Sequence, residues 1–236
     1  MIYFFLLLIF SALVIIIGKK SSMLRTEIFN IANFQQLTIT KGIKKPRPAY
    51  SLGRTQLAFW TVIIVSSFIY TIFPGLLKGA ISVPDIDPVN LLLLGIAGGT
   101  TAVAKVIDTS QQNNQGDAVP QQDIPSKGFF MDIISDEKGV SIHRLQNVIW
   151  IIVVGFIYIA SVHQKQILPD HSVINNQLLG LMGISASAYL GLKTSENKNA
   201  PVTPSSVNAG ATVNGITSNI SADTKSLLAQ DKQGSL

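Results

Sequence analysis

The apolar residues of this chain fall in unbroken blocks and not on alternating faces. Five blocks stand out, at 2–18, 57–73, 89–107, 148–162 and 178–192. Each approaches the roughly 20 residues that carry a helix across the hydrocarbon core of a bilayer. Pro74 and Gly75 close the second block, and Lys105 interrupts the third only near its end. The pattern predicts an all-α membrane protein with five transmembrane helices. Composition sharpens this reading. Of 236 residues, 47% are apolar and 13% are charged, against roughly 25% charged in soluble domains.

Charge placement then orients the chain. The first block resembles a signal peptide in length, but nothing basic precedes it and Lys19–Lys20 follow it. That placement favours an uncleaved helix over a cleaved signal. Residues 19–53, with Arg54 at their edge, carry eight basic residues and one acid, Glu27. The segments after the second and fourth blocks carry Lys78 and Lys165 alone, beside Asp85, Asp87 and Asp170. The positive-inside rule therefore places the N-terminus outside and the C-terminus in the cytoplasm of an inner membrane.

Polar residues repeat within the apolar blocks. Ser51, Arg54, Gln56 and Trp60 open the second helix, and Ser141, Arg144, Gln146 and Trp150 open the fourth at a constant spacing. Gly95-Ile96, Lys105 and Asp108 recur in the fifth helix as Gly183-Ile184, Lys193 and Glu196. Duplication of a helical hairpin accounts for this better than chance agreement among apolar runs. Two hairpins entering from one side form a parallel repeat, with a pseudo-two-fold axis along the membrane normal.

The opening helix of each hairpin is bulky, with Phe59, Trp60 and Phe68, then Trp150 and Phe156. The return helix is small-residue rich, with Gly95 and Gly99, then Gly183, Ser187 and Gly191 at a spacing of four. Small residues allow close backbone approach in lipid. The return helices are therefore expected at the centre of the bundle and the opening helices at its edge. At the cytoplasmic ends, Arg54 and Arg144 are placed to pair with Asp108 or Glu196. Lys105 and Lys193 reach those acids at i,i+3. Gln56 and Gln146 are placed to hydrogen-bond carbonyls of the neighbouring return helix. The competing reading makes these residues headgroup-zone markers only.

The resulting divisions are an N-terminal helix at 1–18, a basic segment at 19–53 and the first hairpin at 54–108. A linker follows at 109–140, then the second hairpin at 141–196 and a tail at 197–236. The basic segment reads as a continuation of the first helix and then a loop. The linker is rich in Gln, Asn and Asp to Ser126, then places Phe129, Phe130, Ile133 and Ile134 on one helical face. This is an expected interfacial helix, along the headgroups or docked under the bundle. The acids around it, Asp132, Asp136 and Glu137, read as a solvated face. The tail has no aromatic residue and too little apolar mass for a core.

Chemistry-bearing motifs do not emerge. There is no cysteine and there are three histidines. No phosphate loop, HExxH or GxSxG pattern is present. No catalytic, cofactor-binding or metal-ligating residue is assigned, and no cofactor is expected. The basic excess is accounted for by topology, and nucleic acid is not an expected partner. The bilayer and anionic lipids at the cytoplasmic face are.

Four stretches carry a resemblance: 50–60 (YSLGRTQLAFW), 128–136 (GFFMDIISD), 139–146 (GVSIHRLQ) and 178–186 (LLGLMGISA). They resemble YEATS-associated helix-containing proteins, a family of bacterial multi-pass membrane proteins, over about residues 48–196. The resemblance implies association with bacterial stress or conflict systems and assigns no catalytic residues. This chain has no β-rich YEATS segment of its own. The expectation is a non-enzymatic membrane module that anchors or senses for a cytoplasmic protein partner. The alternative is a small homo-oligomeric channel, with Thr100, Thr101, Ser185 and Ser187 as the only candidate lining residues.

Overall fold

The computed structural model describes residues 1–80, 83–113, 121–136 and 139–195. The chain is mostly helical. Its elements are α1 (Ile2–Lys20), α2 (Ile31–Thr40), α3 (Leu52–Leu77), α4 (Pro88–Asn113), a 3-10 turn (Gln121–Asp123), α5 (Phe129–Ile134), α6 (Ile142–Lys165) and α7 (Asn176–Lys193). A short antiparallel pair, β1 (Ser135–Asp136) and β2 (Gly139–Val140), joins α5 to α6. Among the described residues four helices are long and apolar enough to cross a membrane: Ile2–Lys20, Leu52–Leu77, Pro88–Gln111 and Ile142–Lys165. The fifth expected span forms α7, which is helical but not among them. Its 18 residues include Asn176, Gln177 and Lys193.

The helices alternate in direction. Arg54 at the start of α3 and Lys105 near the end of α4 meet the same carboxylate, Glu27. At the other end, the Tyr158 hydroxyl of α6 donates to Asn90 Oδ1 of α4 at 2.6 Å, and His171 lies 2.9 Å from Asp87. The N-terminus of α1 joins this second end, where the Tyr3 hydroxyl and Ser67 Oγ of α3 are 2.8 Å apart. The Tyr158–Asn90 and Tyr3–Ser67 bonds between helices satisfy polar groups that lipid cannot. One end of the bundle is thus basic, with Lys19, Lys20, Arg54, Lys105, Arg144 and Lys193. The other has Lys78 and Lys165.

The core joins all the long helices through Tyr3, Trp60, Leu93, Val154, Tyr158 and Met182. The opening helices α3 and α6 pack against each other as well as against α4 and α7. Buried residues line α6 from Arg144 to Val162. The return helices α4 and α7 meet as expected, but the opening helices are not confined to the edge of the bundle. Burial recurs between the hairpins, but out of step with the sequence repeat. Gln56 and Asn147, Ile63 and Val154, and Ser67 and Tyr158 are buried at a spacing of 91. Leu93 and Met182, Ala97 and Ala186, and Thr100 and Tyr189 are buried at 89. The sequence matches lie one residue off these spacings, a rotation of about 100° around a helix. Gln56 and Trp60 are therefore buried while Gln146 is exposed and Trp150 half-buried. The hairpins also meet different neighbours, since α1 packs on α3.

The glycine expectation is corrected too. A Cβ added at Gly95, Gly99, Gly183 or Gly191 meets no atom within 4 Å, and Ser187 is exposed. Close approach falls elsewhere. A Cβ on Gly53 stands 3.2 Å from Thr101 Cα, where α3 meets α4. One on Gly155 stands 2.5 Å from Phe59 Cζ, where α6 meets α3. Gly95, Gly99, Ser187 and Gly191 are exposed, while Ala97, Thr100, Ser185 and Ala186 of the same helices are buried.

Candidate functional site: the capped basic end

A cap folds over the basic end from 21–51, 121–136 and 139–141. The expected loop after the first helix contains α2, and the expected linker is ordered from Gln121 onward. The linker's start, 109–113, continues α4. Asn30 caps α2 by accepting the N–H groups of Ala32 and Asn33 at 3.0 and 3.2 Å. Asp123, wholly buried, accepts the N–H groups of Phe29 at 2.6 Å and Asn30 at 3.1 Å. Its burial pushes the carboxyl above the ordinary Asp range, against the lowering effect of those two bonds. The turn 121–123 is thereby fastened to the entrance of α2.

Asp132 performs a similar service for α5. Its carboxylate accepts the Tyr50 N–H at 3.0 Å, the Lys127 N–H at 2.8 Å and the Ser126 hydroxyl. It is buried, not on a solvated face as expected. The expected interfacial helix forms as Phe129–Ile134, and its apolar face is divided. Ile133 packs inward with Leu52 and Tyr189, while Phe130 and Met131 are exposed. Arg25 closes the cap. Its guanidinium lies 4.1 Å from the centre of the Tyr50 ring and donates to the Tyr50 hydroxyl at 2.9 Å and to the Pro48 carbonyl. Ser126 N–H donates to Arg47 O at 2.9 Å, tying the two halves together.

Beneath the cap the charged residues of the expected clamp pair differently from the expectation. Arg54 Nη2 lies 2.7 Å from Glu27 Oε1, and Lys105 Nζ lies 3.1 Å from the same oxygen. Neither bond uses Asp108. The two cations, Arg54 first, hold the Glu27 carboxyl below the usual Glu range. Asp108 instead pairs with Lys193 Nζ of the other hairpin at 2.8 Å and accepts from Gln122 Nε2. Gln111 Nε2 donates to the Lys193 carbonyl at 3.0 Å. The ends of α4 and α7 are thus joined by charge, and the cap joins them through Gln122. Arg144 is buried, with its guanidinium 5.4 Å from the centre of the Tyr189 ring. Glu196 lies outside the described residues, as does the expected tail.

The glutamines do not bond neighbouring carbonyls as expected. Gln146 is exposed. Gln56 is buried, and its amide nitrogen and oxygen have no hydrogen-bond partner. Trp60 Nε1, Asn147 Nδ2 and Ser185 Oγ are buried in the same condition. Two cavities lie under the cap. One of about 30 Å³ is lined by Glu27, Arg54, Lys105 and Asp108. The other, of about 20 Å³, is lined by Gln122, Asp132, Arg144 and Lys193. Each has room for one or two waters, not for an organic substrate.

Sequence reasoning missed Glu27, Asp123 and Asp132, the acids that organise the cap. The available signal was isolation. Glu27 is the only acid among the basic residues of its segment, and Asp132 is flanked by Met131 and Ile133. Comparison with family models, with curated proteins and with solved structures gives no match.

Proposed function

We propose that this chain is a non-enzymatic membrane module that carries a cytoplasmic docking cap for a protein partner. The carrying observation is the cap itself. Buried carboxylates and Arg25 build a defined structure over one end of an apolar bundle, and that structure presents exposed Ile31, Ile39, Phe130 and Met131. Exposed large apolar residues beside polar ones suit a protein interface. In this reading α7 completes a set of five spans. The two hairpins descend from a parallel duplication, and the basic end faces the cytoplasm of a bacterial inner membrane. The resemblance to YEATS-associated helix-containing proteins would place the partner in a stress or conflict system.

The test is cross-linking in native membranes followed by purification, with the wild type beside Ile31→Glu and Ile39→Glu. A cross-linked species present with the wild type and lost with both variants supports the docking cap. Identical cross-links in all three chains contradict it.

A second reading is favoured by one observation. Gly95, Gly99 and Gly191 face outward from α4 and α7, as an interface between copies in a homo-oligomeric channel requires. Gly99→Leu would then dissolve an oligomer without unfolding the chain.

A further inference from the structure

A groove of about 330 Å³ runs along the outside of the bundle between α1, α3 and α6. Leu7, Ser11 and Ile15 of α1 line it along about 12 Å of helix axis. Phe59 of α3 and Ile159 of α6 face them. Two residues from outside the long helices line its basic end. Leu24 follows α1 and packs under Gly18, and Phe129 comes from α5 of the cap. All three long helices are among those able to cross a membrane, so the groove opens along its side to lipid.

Its chemistry changes along its length. Apart from Ser11, the lining is apolar from Leu7 to Ile15. Toward the cap the lining continues through Ala58 and Thr55, whose hydroxyl is itself buried. Beyond it stand the exposed cations Lys19, Lys20, Arg47 and Lys127. They are held close together by the backbone. Arg47 Nη1 donates to the Lys19 carbonyl at 3.4 Å, and Arg47 O accepts from Ser126, the residue before Lys127. No ion pair joins these four cations to a carboxylate among the described residues. Asp132, the acid held beside Lys127, is buried and already accepts three hydrogen bonds.

We infer that this groove is a binding site for one anionic glycerophospholipid. An acyl chain lies along Leu7, Ser11 and Ile15, and the phosphate meets the cations around Arg47. An apolar stretch followed by cations matches the order of acyl chain and phosphate in such a lipid. Basic residues near headgroups favour anionic lipids. Because the cap supplies Phe129, Arg47 and Lys127, a bound lipid fastens the cap to the bundle. The inference rests on the membrane reading and narrows its lipid partner to one site.

The test uses the full chain reconstituted in vesicles of equal parts phosphatidylethanolamine and phosphatidylglycerol. The protein is re-extracted in mild detergent and its retained lipid is identified by native mass spectrometry. The wild type should retain phosphatidylglycerol enriched about tenfold over phosphatidylethanolamine. Ser11→Phe, which fills the groove from a lipid-facing helix, should lose the retained lipid with an unchanged helical circular dichroism spectrum. Arg47→Gln with Lys127→Gln should keep a lipid but lose the enrichment. Equal retention by the wild type and Ser11→Phe would overturn the inference. So would a wild-type dimer that Ser11→Phe converts to monomer, since a second copy would then fill the groove. Alkaline extraction of membranes separates the two claims. A chain that stays embedded but retains no lipid refutes only the groove, whereas a chain that is released refutes the membrane reading.

Discussion

Gly155 offers the sharpest test of how the bundle is packed. The distances set the magnitude. A Cβ at this position stands 2.5 Å from Phe59 Cζ, 2.8 Å from Phe59 Cε1 and 3.4 Å from Ile63 Cδ1. Carbon atoms rest at about 3.5–4.0 Å, so the Phe59 ring must move by roughly 1 Å. Overpacking of this kind costs about 1–3 kcal/mol. Helix propensity returns about 1 kcal/mol when glycine is replaced in a helix interior. Gly155→Ala should therefore be destabilising by about 0–2 kcal/mol, because the far end of the ring can swing aside. Gly155→Leu should cost about 2–3 kcal/mol. At Gly99 no atom lies within 4 Å of an added Cβ, and Gly99→Leu should be neutral or stabilising by up to about 1 kcal/mol. The assay is thermal unfolding in mild detergent, followed by circular dichroism at a concentration where the chain is monomeric. If monomeric Gly99→Leu loses as much stability as Gly155→Leu, the reasoning fails, and the small-residue ridges do pack within the chain.

Three further outcomes follow from the basic end and the core. Asp108→Asn should cost about 1–3 kcal/mol, because it removes the carboxylate that a buried Lys193 meets at 2.8 Å. A double-mutant cycle with Lys193→Met should show coupling of about 1 kcal/mol or more, and coupling near zero would remove the link between α4 and α7. Glu27 has a carboxyl lowered from 4.5 in the fold. Its stabilisation is fully present above pH 4.5 and is lost as pH falls through the lowered value. Its side chain is 59% exposed, so the effect is about 0–1 kcal/mol, and Glu27→Gln should flatten the acid limb of a stability–pH curve by that amount. Gln56→Leu removes two buried polar atoms without hydrogen-bond partners and should stabilise the bundle by about 1 kcal/mol. A loss of stability would show that the amide is satisfied by water or a ligand.

The long apolar blocks were legible because a bilayer-length helix needs only composition and length. Helix direction was legible for a related reason, since chain reversal between blocks leaves few alternatives. The end carrying Lys19, Arg54 and Lys105 was visible as a run of basic residues before any coordinate. Rotation about each helix axis was not. A helix that is apolar all round has almost no amphipathic signal to choose a buried face, and α3 is such a helix. The outward direction of Gly95 and Gly99 could not be read from their spacing, because small residues at four-residue intervals pack equally well within a chain or between copies. The paired Ser-Arg-Gln-Trp motifs likewise led to equivalent roles for Gln56 and Gln146. One turn of the environment by about 100° separates them. The cap was hidden for another reason. Its order depends on Asp123 and Asp132 accepting backbone N–H groups far along the chain, and no local pattern encodes such a partner.

The membrane account stands most directly on the side of the bilayer that each end occupies. Single cysteines at Ser172 and Thr40 lie at opposite ends of the bundle, and both positions are exposed. In intact cells an impermeant maleimide should label Ser172→Cys, while Thr40→Cys should label only after permeabilisation. Labelling of Thr40→Cys in intact cells, or of both positions alike, would contradict it.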